Sequence, residues 1–143
     1  MPTIETARFG KIEIDKGEII RFPEGLLGFP EQKDYVIIEH GPGSPFYWLQ
    51  SLVIPDLCFV MIDPFVIKND YLEDIPYAKK KIFEGKNNEN ICVFALVSIA
   101  QGERKSMTVN LLGPIVVDIK RHSGRQAILS SSGYSHQHAL NFQ

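Results

Sequence analysis

Side chains suited to catalysis are scarce in this chain. Its two cysteines, Cys58 and Cys92, each stand inside an apolar run and share no Cys-x-x-Cys spacing, so the common zinc and dithiol motifs are missing. Two reduced, buried thiols are expected in place of a disulfide. No serine sits in a Gly-x-Ser-x-Gly elbow, and Ser98, Ser106 and Ser130 to Ser132 have no base or orienting group placed beside them by the sequence. No apolar run approaches the roughly 20 residues a bilayer-spanning helix needs. The start, Met1-Pro2-Thr3-Ile4-Glu5, has neither a basic region nor a small-residue cleavage site, so no export signal is expected. A basic excess is lacking too: 15 Lys and Arg face 17 Asp and Glu, for a net charge of −2. That balance argues against direct contact with nucleic acid. Lys79-Lys80-Lys81, the one basic cluster, lies close to Glu84 and reads as the wet face of a short helix.

What the chain has is apolar-Gly-Pro signatures. They are Phe22-Pro23-Glu24-Gly25-Leu26-Leu27-Gly28-Phe29-Pro30, then Phe46-Tyr47-Trp48-Leu49-Gln50-Ser51, then Asn110-Leu111-Leu112-Gly113-Pro114-Ile115-Val116. Such residues direct the chain and fill a core; they cannot abstract a proton or hold a metal. At 143 residues, 44% hydrophobic and 22% charged, the chain suits one globular domain with a real core. Short apolar runs alternate with Gly, Pro, Asn and Asp about every 8–12 residues, the pattern of an all-β sandwich or barrel.

Strands are expected over 4–8, 12–15, 19–22 and 35–38. Residues 46–53 and 57–62 read as an antiparallel pair turning through Pro55-Asp56. Asp63-Pro64 interrupts the ladder, because proline has no N–H to donate. Residues 65–67 and 71–75 then read as short extended pieces. The one helix is expected over 76–83, with proline in its first turn and Gly85 ending it. Residues 91–99 are apolar on both faces, which predicts a central strand covered on its outer side. Residues 108–119 read as a long strand bent at Gly113-Pro114. A turn through His122-Ser123-Gly124 leads to 126–129, and Ser130-Ser131-Ser132-Gly133 opens a polar tail. One domain over 1–134 and a C-terminal tail over 135–143 are expected.

Candidate chemistry is thin. His40 and His122 fall in turns, and His136-Gln137-His138 has no carboxylate or thiol near it in sequence, so no metal and no cofactor is expected. Gly41-Pro42-Gly43-Ser44-Pro45 leads into a strand and cannot set a phosphate on a helix N-terminus. Glu73 and Asp74 are neighbours on an expected strand, where side chains diverge, so they read as acidic surface. Leu26-Leu27-Gly28-Phe29, between glycines, is the segment most readily offered to a partner. No enzyme is expected. A nucleic-acid-binding or small-ligand-binding β-barrel is the alternative to a protein-binding one.

These signatures together resemble the FliW flagellar assembly factor family over nearly the whole chain, from Thr6 to about Tyr134. The likeness rests on Ile19-Ile20-Arg21-Phe22, Gly25-Leu26-Leu27-Gly28-Phe29, Ser44-Pro45-Phe46, Leu49-Gln50-Ser51, Pro64-Phe65, Tyr71, Asn110-Leu111-Leu112, Pro114-Ile115-Val116, Gln126 and Tyr134. Gly113 stands where other members carry alanine, and Lys79-Lys80-Lys81 is more basic than the family's helix there. The resemblance implies a small antiparallel β-barrel with one short helix, in the cytoplasm. It implies two partners, flagellin and the translational regulator CsrA, and no direct contact with nucleic acid or membrane. Leu26, Leu27, Phe29, Tyr71, Leu72 and Ile99 are the expected apolar contacts, and Glu73 and Asp74 the polar ones.

Overall fold

A computed structural model describes residues 3–85, 88–100 and 106–140. Among the described residues are the strands β1 (Thr3–Thr6), β2 (Gly10–Glu13), β3 (Ile19–Arg21), β4 (Asp34–Glu39), β5 (Phe46–Ser51) and β6 (Cys58–Ile62). After helix α1 (Pro76–Phe83) come β7 (Ile91–Ala100), β8 (Ser106–Val109), β9 (Ile115–Asp118), β10 (Ser123–Gln126) and β11 (His138–Ala139). Seven of them close a barrel in the order β7-β6-β5-β4-β3-β10-β9, with β9 returning to β7. Neighbours run antiparallel except β3 and β10, which are parallel where Ser123 meets Arg21.

Period-2 alternation decides what fills the barrel. Tyr35, Leu49, Met61, Phe94, Ile115 and Val117 point inward and pack with Phe22 and Leu26, so the interior is a side-chain core. A Cβ on Gly124 would come within 2.5 Å of the Phe22 ring, and glycine is what lets that ring lie against β10.

The alternate residues of β7 and β9 build a second core outside the barrel. Val93, Ala95 and Val116 pack under Ala78 and Ile82 of α1, with Tyr71, Leu72 and Leu111 beside them. The doubly apolar segment 91–99 is thus the central strand its composition predicts. One edge of β7 carries β9 along Ile91–Phe94 and β8 along Val97–Ala100. Between β8 and β9 the chain swings out at 110–114, where Asn110 Oδ1 accepts the Gly113 N–H at 2.8 Å. That is the bend expected at Gly113-Pro114. The antiparallel β5–β6 pair and the limits of α1 match expectation as well.

Four segments differ. Residues 64–66 form a short 3-10 helix because Asp63 caps it, accepting the Phe65 N–H at 3.0 Å, and Pro64 suits its first position. Residues 71–74 turn instead of extending, with Leu72 at φ 72°. The strand expected over 126–129 lies earlier, at Ser123–Gln126, because Asp118 and a left-handed His122 (φ 53°) close the preceding turn. Beyond Tyr134, in the expected tail, β11 pairs with β8 and the Leu140 N–H donates to Met107 O. Cys58 and Cys92 are free and half-buried, and burial raises both thiol pKa values.

Candidate partner-binding surface

The register sends β3, β5, β7 and β10 out of the barrel at one end, where β4, β6 and β9 enter it. Two connections cap that end, residues 22–33 and 52–57. In the first, Leu26 and Phe29 form an isolated antiparallel bridge around Leu27-Gly28. Gly28 takes φ 87°, the left-handed position such a tight turn requires. Gly25 is equally constrained: its φ is 66°, and a Cβ there would meet Phe29 O at 2.5 Å.

This turn splits two adjacent leucines. Leu26 is 3% exposed and plugs the barrel, whereas Leu27 is 66% exposed. Phe29 stays 40% exposed while resting edge-on against Phe59 of β6, with ring centres 5.4 Å apart. The Leu27 N–H donates to Gln126 Oε1 at 3.0 Å, and Gln126 Nε2 donates to Gly113 O at 3.0 Å. One glutamine therefore ties the exposed turn to the bend before β9.

The 52–57 connection is built with similar economy. Gln50 Nε2 lies 3.1 to 3.3 Å from the carbonyls of Ser51, Pro55 and Leu57. Ser51 Oγ accepts the N–H groups of Val53 and Ile54 at 3.1 and 3.0 Å. The turn so held exposes Val53 (71%) and, to a lesser degree, Ile54. Ile99 is exposed on the part of β7 that runs on past the barrel toward the same end. Leu27, Phe29, Val53, Ile54 and Ile99 thus leave one end greasy, with exposed Glu24 and Glu31 on the first loop.

Three expected apolar contacts are not on this exterior. Leu26, Tyr71 and Leu72 are buried. Tyr71 donates its hydroxyl to Leu111 O at 2.6 Å and packs at a tilt against the Tyr134 ring, centres 4.9 Å apart. The left-handed backbone at Leu72 turns its side chain into the outer core, and its N–H donates to the Tyr134 hydroxyl at 2.9 Å. Glu73 and Asp74 are in ion pairs, Glu73 with Lys79 at 2.8 Å and Asp74 with Lys68 at 3.1 Å. Tyr134 also donates to Asp74 at 2.5 Å. Burial pushes the Asp74 carboxyl up, but the bonds from Tyr134 and Lys68 outweigh it and hold the pKa below 3.8. Burial and the Asp74 bond push Tyr134 up to about 12. Val53 and Ile54 are the surface residues that strand patterning missed; the signal was Ser51 three residues before Ile54, followed by Pro55-Asp56.

A family model of the FliW protein matches residues 3–140. The chain belongs to the FliW family. It is 39% identical over 137 residues to the flagellar assembly factor FliW of Natranaerobius thermophilus, covering 96% of this chain and 91% of that one. The flagellar assembly factor FliW of Desulfitobacterium hafniense is also 39% identical, over 140 residues, with 96% and 90% covered. A crystal structure of the flagellar assembly factor FliW superposes with a TM-score of 0.81 at 30% identity, covering 99% of both chains.

In this FliW chain the signature residues act chiefly as framework. The Gln50 amide nitrogen, Ser51 Oγ, Asn110 Oδ1 and the Gln126 amide bond to loop backbone, and Tyr71 and Tyr134 join the 68–74 turn to the C-terminal segment. Leu27 and Phe29 are the signature side chains that this framework displays at the loop-capped barrel end. Among the described residues, no three or more His, Cys, Asp or Glu side chains gather as a metal site would require.

Proposed function

We propose that this protein binds flagellin and antagonises the translational regulator CsrA, coupling flagellin synthesis to filament assembly in the cytoplasm. The observation that carries the proposal is the apolar barrel end of a FliW-family chain, where Leu27, Phe29, Val53 and Ile54 stand on loops pinned by side-chain hydrogen bonds. Pinned loops lose little freedom on binding, so apolar area buried there turns more fully into affinity. An amphipathic segment, such as the terminal helix of flagellin or the C-terminal extension of CsrA, is the kind of partner this end suits. Glu24 and Glu31 border it and would repel message phosphates while facing a basic regulator. Glu73 and Asp74 contribute less to such a field, since each already has a lysine beside it.

Free protein would then sequester CsrA and allow flagellin to be made; accumulating flagellin would recapture the protein and restore repression. Size-exclusion co-elution with purified flagellin and, separately, with purified CsrA tests both halves. Co-elution of each partner at micromolar concentration, weakened about tenfold or more by Leu27→Asp, is the expected result. Failure of the folded protein to retain either partner overturns the proposal.

A further inference from the structure

A second surface lies on the outer wall of the barrel, toward the end opposite the Leu27 loop. β3 pairs with β4 only as far as Val36, so Ile37–Glu39 has no strand on that side among the described residues. β5 occupies the other side of β4 through Glu39. The N–H of His40 donates to Phe46 O, and the Leu52 N–H donates to Asp34 O, so even-numbered residues of β4 bond to β5. By alternation, the backbone polar groups of Glu39 point to the open side. β2 is in a similar state: β1 covers one of its edges, and no described strand covers the other.

The two open edges flank a groove of about 460 Å³. Its apolar lining includes Ile12, Val36 and Ile38, and its charged lining is Glu13, Glu18 and Glu39. No lysine, arginine or histidine lines it; Lys11 and Lys16 are neighbours in sequence but lie outside the lining. Glu18 is held in place by accepting the Asp15 N–H at 2.8 Å.

We propose that this groove takes an extended, basic segment of a partner protein, bonded through its backbone to the open edge of β4 and through lysine or arginine side chains to Glu13, Glu18 and Glu39. The unpaired edges select a strand over a helix, because an extended backbone can complete the ladder. Side chains on one face of that strand would meet Ile12 and Ile38, with cations reaching the glutamates. The same carboxylates oppose edge-to-edge pairing with a second copy of this chain, which would bring like charges together. This inference does not depend on the Leu27 surface and stands or falls separately from it.

The probe is a fluorescein-labelled octapeptide of alternating lysine and valine, followed by anisotropy at about 0.15 M ionic strength. Trp48 is an internal reporter, since its cross-strand partner is Ile38 on the groove wall. Saturable binding with a change in Trp48 emission is expected. A peptide N-methylated at alternate positions, lacking the donors of one edge, should bind at least about tenfold more weakly. The double variant Glu13→Lys with Glu39→Lys should weaken the parent peptide by about tenfold or more. Should that variant lose its far-UV circular dichroism spectrum, Glu39→Gln reads the same effect at about threefold. A glutamate–valine peptide should not bind. Absence of binding overturns the proposal, as does equal affinity for the N-methylated or acidic peptide, tighter binding of an eight-nucleotide RNA, or indifference of binding to the glutamate variants.

Discussion

Leu26 and Leu27 share a chemistry and differ in everything the fold does with them. Leu26→Ala should cost about 2–5 kcal/mol, because it empties a plug in the barrel core. Leu27→Ala should change stability by no more than about 0.5 kcal/mol while weakening partner capture. Urea titration of both variants beside a binding assay separates the two roles. Tyr134 offers a second contrast. Its folded pKa of about 12 lies above the ordinary 10.0, so the neutral phenol is the form the fold favours. The stability this supplies is complete below pH 10 and is lost as pH rises through about 12. Tyr134→Phe should therefore flatten part of the alkaline fall in melting temperature. Asp74 behaves oppositely: its contribution is complete above pH 3.8 and is lost as pH falls through its lower folded value. Asp74→Asn should remove that part of the acid slope in the same melts.

At the scale of elements, the loops are the parts with most specification. α1 and β7 were legible because periodicity reports them directly, and one face of each is buried against the other. Turns report themselves less well. Residues 71–75, with Tyr71, Leu72 and Ile75 around two acids, read as an extended piece, yet Leu72 goes left-handed and its N–H is claimed by a hydroxyl 62 positions away. The 52–57 turn hangs on Gln50, whose amide meets three carbonyls at once. Gln50→Ala should cost about 1–3 kcal/mol. It should also speed amide exchange at the turn relative to β4 and β5, measured by hydrogen exchange under native conditions. Loss of stability with unchanged exchange there would show that the glutamine does not organise the turn.

Over the whole molecule, closure between β7 and β9 gives the barrel a dry interior, and the outer wall of β7 and β9 needs α1, the 68–74 turn and the C-terminal segment to stay dry as well. The segment after Leu129 is therefore structural. Ending the chain at Gly133 would remove Tyr134 from Tyr71 and β11 from the edge of β8. That truncation should lower the melting temperature by several degrees, about 2–4 °C per kcal/mol lost for a chain near 150 residues. An unchanged melt followed by circular dichroism would mean that the outer core closes without it.

The all-β class, the one helix, the bend at Gly113-Pro114 and the scarcity of reactive groups were all readable along the chain, because each is written in local spacing or residue type. Which leucine of Leu26-Leu27 faces water was not, nor that Tyr71 and Leu72 lie inside, nor that Glu73 and Asp74 meet lysines. The leucine and tyrosine outcomes depend on distant residues being brought together, as Gln126 is to Leu27 and Tyr134 to Leu72. Lys68 and Lys79, by contrast, meet Asp74 and Glu73 from six positions away, because the chain turns at 71–74 instead of extending. The open edges beside Glu39 are likewise a product of register: an edge exists only once its neighbours have been assigned, and hydrogen-bonded closure assigns them across the whole sheet.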